Sequence, residues 1–226
     1  EFVAISNHVA KRIEKYYRRK ASVIYPPVDC SAFGIADKTG GYYLIVSAFA
    51  PYKRIDLAIK AFNNLGRKLK IVGTGQDEKR LRKMANKNIE FMGWQSSEAL
   101  KGLYARCKAL IFPGEEDFGI TPLEAMASGR PVIAFAKGGA LETVVPLGIK
   151  ERVPTGLFFV EQTPIALAEA VRYFEKKEGS FDSASIRAHA LKFDKAVFKK
   201  NIAACIQEKY SALKDREDVK EKQQVS

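Results

Sequence analysis

Apolar residues in this chain gather in short continuous runs, and between the runs they recur every three or four positions. The runs at 22–25, 42–47, 69–72, 89–92, 108–112, 131–135 and 156–160 are set off by turn-forming residues and read as buried strands. The intervening spacing predicts helices over 54–65, closed by Gly66, over 77–85, over 96–107 with Ser96 as cap, over 120–128 and over 140–145. A final helical region begins with 164–177. The stretch 194–214 then carries apolar positions at Val197, Phe198, Ile202, Cys205, Ile206 and Leu213. Strands alternating with helices predict an α/β fold, a Rossmann-like doubly wound parallel sheet whose ligands collect at the carboxyl ends of the strands.

One of those strand ends carries the most informative residues. The run ending at Phe112 breaks at Pro113-Gly114, and helical spacing resumes with Leu123, Met126 and Ala127 before Gly129-Arg130-Pro131 stops it. The helix therefore begins near Gly119 or Ile120. Gly119 lets a ligand approach the backbone, and the amides of Ile120 and Thr121 point outward with the positive end of the helix dipole behind them, which suits a phosphate. Glu124 lies one turn into this helix and Glu116 in the loop before it. A carboxylate repels an anion, so both are placed to accept hydrogen bonds from hydroxyls beyond the phosphate, those of a ribose and of a sugar. Either glutamate alone is equally explained by the preference of acids for helix starts, worth about 0.3–1 kcal/mol. The pair around Phe118-Gly119 after a strand is more specific.

The sequence Glu116-Asp-Phe-Gly-Ile-Thr-Pro-Leu-Glu124, followed by Ala-Met-Ala-Ser-Gly-Arg-Pro-Val-Ile and then Gly138-Gly139-Ala-Leu-Glu142, resembles the signature of retaining GT-B glycosyltransferases of the large fourth sequence family. Other stretches agree in order: the strand leading to Pro51-Tyr-Lys53-Arg54-Ile-Asp56, the strand ends Gly73-Thr-Gly75 and Gly93-Trp94, and the entry segments Ser6-Asn-His-Val-Ala-Lys and Tyr25-Pro-Pro-Val-Asp29. The likeness covers roughly residues 2–175, and the entry segment and Tyr-Lys-Arg variant are most similar to mannosyltransferase-like members.

The resemblance implies one half of a GT-B fold, with the active site in a cleft between two Rossmann-like domains. In that organisation residues 1–28 are the end of the N-terminal domain and a linker, 29–177 the nucleotide-sugar donor-binding domain, 178–213 C-terminal helices and 214–226 a charged, disordered tail. Without the other domain the terminal helices are expected to expose an apolar stripe.

The reaction that the resemblance implies moves a sugar, mannose by likeness to those members, from a nucleoside diphosphate donor to a glycan or lipid-linked acceptor with retention of configuration. Lys53, with Arg54 beside it, would stabilise the departing diphosphate. Gly119, Ile120 and Thr121 would hold its oxygens, Glu124 the ribose, and Glu116 the donor sugar, while Gly93 and Trp94 would lie beside the base. The family carries a glycine-arginine pair ahead of the lysine, and here Ala48 stands at the arginine's place. The missing cation would have to come from Arg54 or from the other domain. No cofactor is expected, and GDP-mannose is the favoured donor. A nucleotide-sugar epimerase of the same fold and a non-catalytic membrane-docking or nucleotide-binding module remain alternatives.

Composition adjusts this picture only in places. A length of 226 residues with 46% hydrophobic content supports one substantial core. No apolar run is long enough to span a bilayer and no secretory signal is visible, so a cytoplasmic location is expected, with possible attachment at the inner face of the membrane. Cys30, Cys107 and Cys205 are scattered and support neither disulfides nor a zinc site, and no acidic pair near the phosphate site has metal-chelating spacing. The net charge of +12 implies an anionic partner. Lys11, Arg12, Arg18, Arg19 and Lys20, interleaved with Tyr16 and Tyr17, form a basic helical stretch entered at Ser6, which fits a solvated face or an acidic lipid surface. Nucleic acid is not expected, because no binding module accompanies the charge. His8 and His189 stand without a nucleophile or ligand partner and read as structural. Glu142 reads equally as a cap or as a residue of the donor loop.

Overall fold

The computed structural model describes residues 1–149 and 151–224. The chain opens with a strand–helix–strand unit, β1 (Phe2–Ala4), α1 (Asn7–Tyr17) and β2 (Ala21–Val23), whose two strands pair in parallel as a small separate sheet. The main sheet contains β3 (Tyr43–Val46), β4 (Leu69–Val72), β5 (Ile89–Gly93), β6 (Leu110–Phe112), β7 (Val132–Phe135) and β8 (Gly156–Phe159). All its neighbours are parallel, in the order β5-β4-β3-β6-β7-β8. The chain winds outward from β3 in one direction and from β6 in the other. The adjoining carboxyl ends of β3 and β6 are thus the topological switch point, where a crevice opens.

Both faces of this sheet are covered, which is why its strands read as continuous apolar runs. Tyr43 and Ile45 point to one side, where α2 (Ile55–Leu65) and α7 (Pro164–Lys177) bury Ile59, Phe62, Leu167, Val171 and Phe174. Leu44 and Leu110 point to the other, against Leu103, Tyr104, Leu123, Met126 and Ile186. These last come from α4 (Ser97–Arg106), α5 (Ile120–Ala127) and α8 (Ser183–Ala190). Each large aliphatic or aromatic side chain so buried contributes about 1.5–3 kcal/mol. The shorter helices α3 (Glu78–Met84) and α6 (Ala140–Thr143) complete the crossovers. Side-chain caps from Ser, Thr and Asp start four helices: Ser6 accepts from the Val9 amide, Ser96 from Ala99, Thr163 from Ala166 and Asp182 from Ser185.

The last helix, α9 (Lys195–Gln224), corrects one expectation. Residues 214–224, taken from their charge as a disordered tail, continue the helix; the last two residues lie outside the described set. Lys, Glu, Gln and Arg are good helix formers, so the segment has the propensity to continue α9 although it lacks a core pattern. The expected apolar stripe is present: Ile206, Tyr210 and Leu213 remain more than half exposed beside Phe2 and Val3. Among the described residues no helix is long and apolar enough to cross a membrane.

Candidate functional site

At the switch point a cavity of about 380 Å³ is lined by Ser47 and Ala48 from the exit of β3, by Lys53, and by Glu116 through Thr121 from the loop between β6 and α5. Ile5 and Pro26 of the opening unit roof it. Lys53 ends a single 3-10 turn and reaches across to Glu116, with 2.7 Å between Nζ and Oε2. Both side chains are largely buried, at 16% and 23% exposure, so this ion pair is held in a partly desolvated wall of the cavity. Beside it, α5 begins at Gly119 with φ of 89°, and the Ile120 and Thr121 amides donate to no protein acceptor among the described residues. A cation and two free amides therefore face the same space, an arrangement suited to an anion with several oxygens.

Glycines hold this loop in place. A Cβ at Gly119 would stand 2.8 Å from the Phe112 ring, and one at Gly139 would stand 2.3 Å from the Phe118 Cα. The Gly139 amide donates to the Glu116 carbonyl at 2.8 Å, so the Gly138-Gly139 turn before α6 is pressed directly onto the loop carrying Glu116. Gly73 packs in the same way against the carbonyl of Ser47, which lines the cavity, so the strand end Gly73-Thr-Gly75 serves close backbone packing.

Glu124 lies in an adjoining cavity of about 240 Å³, shared with Ile120, Phe33, Ser97 and Lys101. Its Oε2 accepts from the Tyr104 hydroxyl at 2.6 Å, leaving Oε1 without a protein donor among the described residues. Burial pushes the Glu124 carboxyl up, and the Tyr104 hydrogen bond only partly offsets it. Tyr104 is itself fully buried and its hydroxyl is held well above its usual range, so it stays a donor. Sequence reasoning missed Tyr104, because a tyrosine on the inner face of α4 carries the same pattern as any core aromatic.

The predicted site residues thus divide. Lys53, Glu116, Gly119, Ile120 and Thr121 line one cavity and Glu124 lines the next. Arg54, Gly93 and Trp94 line neither. Arg54 takes a left-handed turn, φ 54°, that sends its guanidinium away from Lys53 to Gln162 at 2.8 Å and Asp56 at 3.5 Å. It does not line the cavity beside Ala48. Trp94 is 77% exposed, and the Gly93 carbonyl serves the Gly73 amide.

The opening unit is fastened to this loop. Ser6 caps α1, and Glu142 of α6 reinforces the cap: its carboxylate accepts from the Asn7 and His8 amides at 2.8 and 2.9 Å, from the Asn7 side chain at 2.7 Å and from the Tyr25 hydroxyl at 3.1 Å. Arg12 pairs with Asp117, and His8 stands 3.9 Å from Glu115. Tyr25 also stacks on Phe118. Burial raises the Glu142 carboxyl, but these donors together outweigh it and hold it below its ordinary 4.5. A depressed carboxylate stabilises the fold above its unfolded value and loses that contribution as pH falls through the folded value. Glu142→Gln is therefore expected to lower stability by about 1–3 kcal/mol at neutral pH, a deficit that shrinks below pH 4.5 in denaturant titrations. An equal deficit at every pH would contradict this.

Residues 31–191 match the family described as "Glycosyl transferases group 1". An uncharacterised glycosyltransferase of Methanocaldococcus jannaschii is 28% identical over 78% of this chain and 55% of its own length. The alpha-1,3/1,6-mannosyltransferase ALG2 of Saccharomyces cerevisiae is 32% identical over 70% of this chain and 42% of its own. This chain thus spans about half the length of the relatives it matches. Among solved structures, sucrose-phosphate synthase from Thermosynechococcus elongatus superposes with a TM-score of 0.80 at 20% identity, covering 93% of this chain and 58% of that one. HepE of Anabaena in complex with UDP superposes with a TM-score of 0.78 at 20% identity, over 91% and 63%.

Proposed function

Since this chain belongs to the glycosyl transferases group 1 family, we propose that it binds the nucleoside diphosphate sugar donor for a transferase that moves mannose to an acceptor with retention of configuration. The observation that carries this reading is the convergence of Lys53, Glu116 and the free amides of Ile120 and Thr121 on one switch-point cavity, with Glu124 in the next. The diphosphate sits against the start of α5 and takes Lys53 as its counter-ion. Lys53 is shared with Glu116 before the donor arrives, so binding frees the Glu116 carboxylate to accept from hydroxyls of the donor sugar. Charge developing on the diphosphate as the glycosidic bond breaks meets Lys53 and the α5 amides, which are already in place and need no reorganisation. Glu124, steadied by Tyr104, accepts from the ribose through its open oxygen. GDP-mannose is the favoured donor, because relatives include ALG2 and the O-antigen chain mannosyltransferase RfbU of Salmonella typhimurium. The acceptor is a glycan or a lipid-linked sugar.

Calorimetry with GDP and UDP on the 226-residue chain tests the donor reading. Saturable binding is expected, and Glu124→Ala should weaken it by about ten- to a hundredfold, the cost of one or two charge-assisted hydrogen bonds. Because burial raises the Glu124 carboxyl, affinity should fall as pH drops through that raised value, and Tyr104→Phe should move the fall to still higher pH. Absence of saturable binding to both nucleotides defeats the proposal. Retention is tested separately, by the anomeric configuration of the product in a proton spectrum.

A further inference from the structure

We propose that the outer face of α1 docks onto a membrane surface carrying anionic lipid. The helix has two distinct polar rows. His8 and Arg12, one turn apart, face the loop of the candidate site and are matched there by Glu115 and Asp117. Lys11 and Lys15, the adjoining row, make no ion pair among the described residues, nor do Arg18, Arg19 and Lys20 just beyond the helix, and all five are exposed. Against these cations the segment 11–20 sets a single acid, Glu14.

Two aromatic residues follow Lys15 at the end of the helix: Tyr16 adjoins it, and Tyr17 lies on the opposite side, where its ring packs against Phe2 with 5.6 Å between centroids. Tyr16 is 70% exposed and Tyr17 66% exposed, with the Lys15 ammonium 5.2 Å over the Tyr16 ring. An exposed tyrosine beside lysine and arginine at a helix end is the chemistry of an interfacial surface: the Tyr16 ring enters the headgroup layer while the cations meet phosphates. A nucleic acid would find here neither a groove nor a set of side chains converging on base edges. No helix of the described residues crosses a membrane, so any attachment through this face would be peripheral.

The position of α1 gives such docking a consequence. Its start is gripped by Glu142, and Arg12 is joined to Asp117, which lines the candidate donor cavity. A lipid surface held by the Lys11–Lys15 row therefore lies beside the mouth of that cavity.

The test is cosedimentation of the chain with vesicles of phosphatidylcholine alone and of phosphatidylcholine mixed with phosphatidylglycerol. Binding is expected only to the anionic vesicles, and added salt should release it. The triple variant Lys11→Gln, Lys15→Gln, Arg19→Gln leaves Arg12 with Asp117 and keeps Arg18 at the helix cap. It should partition roughly a hundredfold less, at about fivefold for each cation removed. Its melting temperature serves as the check on folding, and the single variant Tyr16→Ser, which removes no charge, should weaken binding several-fold. Equal partition of the triple variant and the parent, or equal binding to both vesicles, overturns the proposal. So does displacement from the vesicles by inorganic phosphate, which would mean a discrete anion site, or by a short DNA duplex, which would mean a nucleic-acid surface.

Discussion

Replacing Lys53 by alanine is expected to lower affinity for a nucleoside diphosphate by about a hundredfold, or ~2.8 kcal/mol. Two effects add. The anion loses the one cation that lines the cavity among the described residues, since Arg54 is committed to Gln162 and Asp56 and Ala48 contributes no charge. The Glu116 carboxylate, 2.7 Å from Lys53 in the parent, is left largely buried and unpaired in the wall that receives the phosphates. The sign of the second effect is checked by Glu116→Gln. That variant should bind the bare diphosphate as tightly as the parent or more tightly, while losing discrimination between GDP-mannose and GDP. In the Lys53→Ala background it should restore part of the lost affinity. Calorimetry across this four-member cycle measures the coupling. Independence of the two substitutions would mean that the ion pair has no part in donor binding.

The second large effect is expected at Gly139→Ala. The added Cβ would meet only backbone, the Phe118 Cα and carbonyl and the Asp117 carbonyl, all within 2.7 Å, so no side chain can swing aside. Relief requires either the α6 turn or the Glu116–Phe118 loop to move, at a cost of about 3 kcal/mol or more. That corresponds to a fall in melting temperature of roughly 6–12 °C for a chain of this size. Because the shifted loop carries Glu116 and leads into the free amides of α5, nucleotide binding should fall with stability. Gly179→Ala meets nothing within 4 Å and provides the control, expected to leave both quantities unchanged. A stable Gly139→Ala protein with full nucleotide affinity would show that the glycine turn does not position the site.

Much of this architecture is readable from residue pattern, for physical reasons particular to each part. A strand covered on both faces carries apolar residues on both, so β7 at Val132–Phe135 stands out against its charged flanks, while β4 at Leu69–Val72 admits one charge, Lys70, which pairs with Glu90 of the neighbouring β5. The start of α5 is legible because Gly119 and the residues after it combine backbone freedom with a strand end. β1 is not legible: its three residues are too few to show a period, and they become a strand by pairing with β2. Tyr104 hides because its role depends on which residue of α5 its hydroxyl meets. The direction taken by Arg54 is hidden for a related reason. Adjacency to Lys53 in sequence says nothing about direction once a left-handed residue turns the backbone between them. Trp94 likewise follows a strand end in sequence yet projects into solvent, since β5 is the outermost strand and its loop lies far from the switch point. Long-range ion pairs such as Arg12 with Asp117 join residues more than a hundred positions apart and leave no local trace.

The clasp formed by Glu142 makes the first twenty-five residues and the donor loop a single mechanical linkage. α6 grips α1 from one side, and the glycine turn immediately ahead of α6 bears on Glu116 from the other. Any swing of the opening strand–helix–strand unit is thereby geared to the carboxylate that shares Lys53, so opening and closing of the protein around its amino-terminal segment would be felt at the anion pocket as a change in the alignment of its charges.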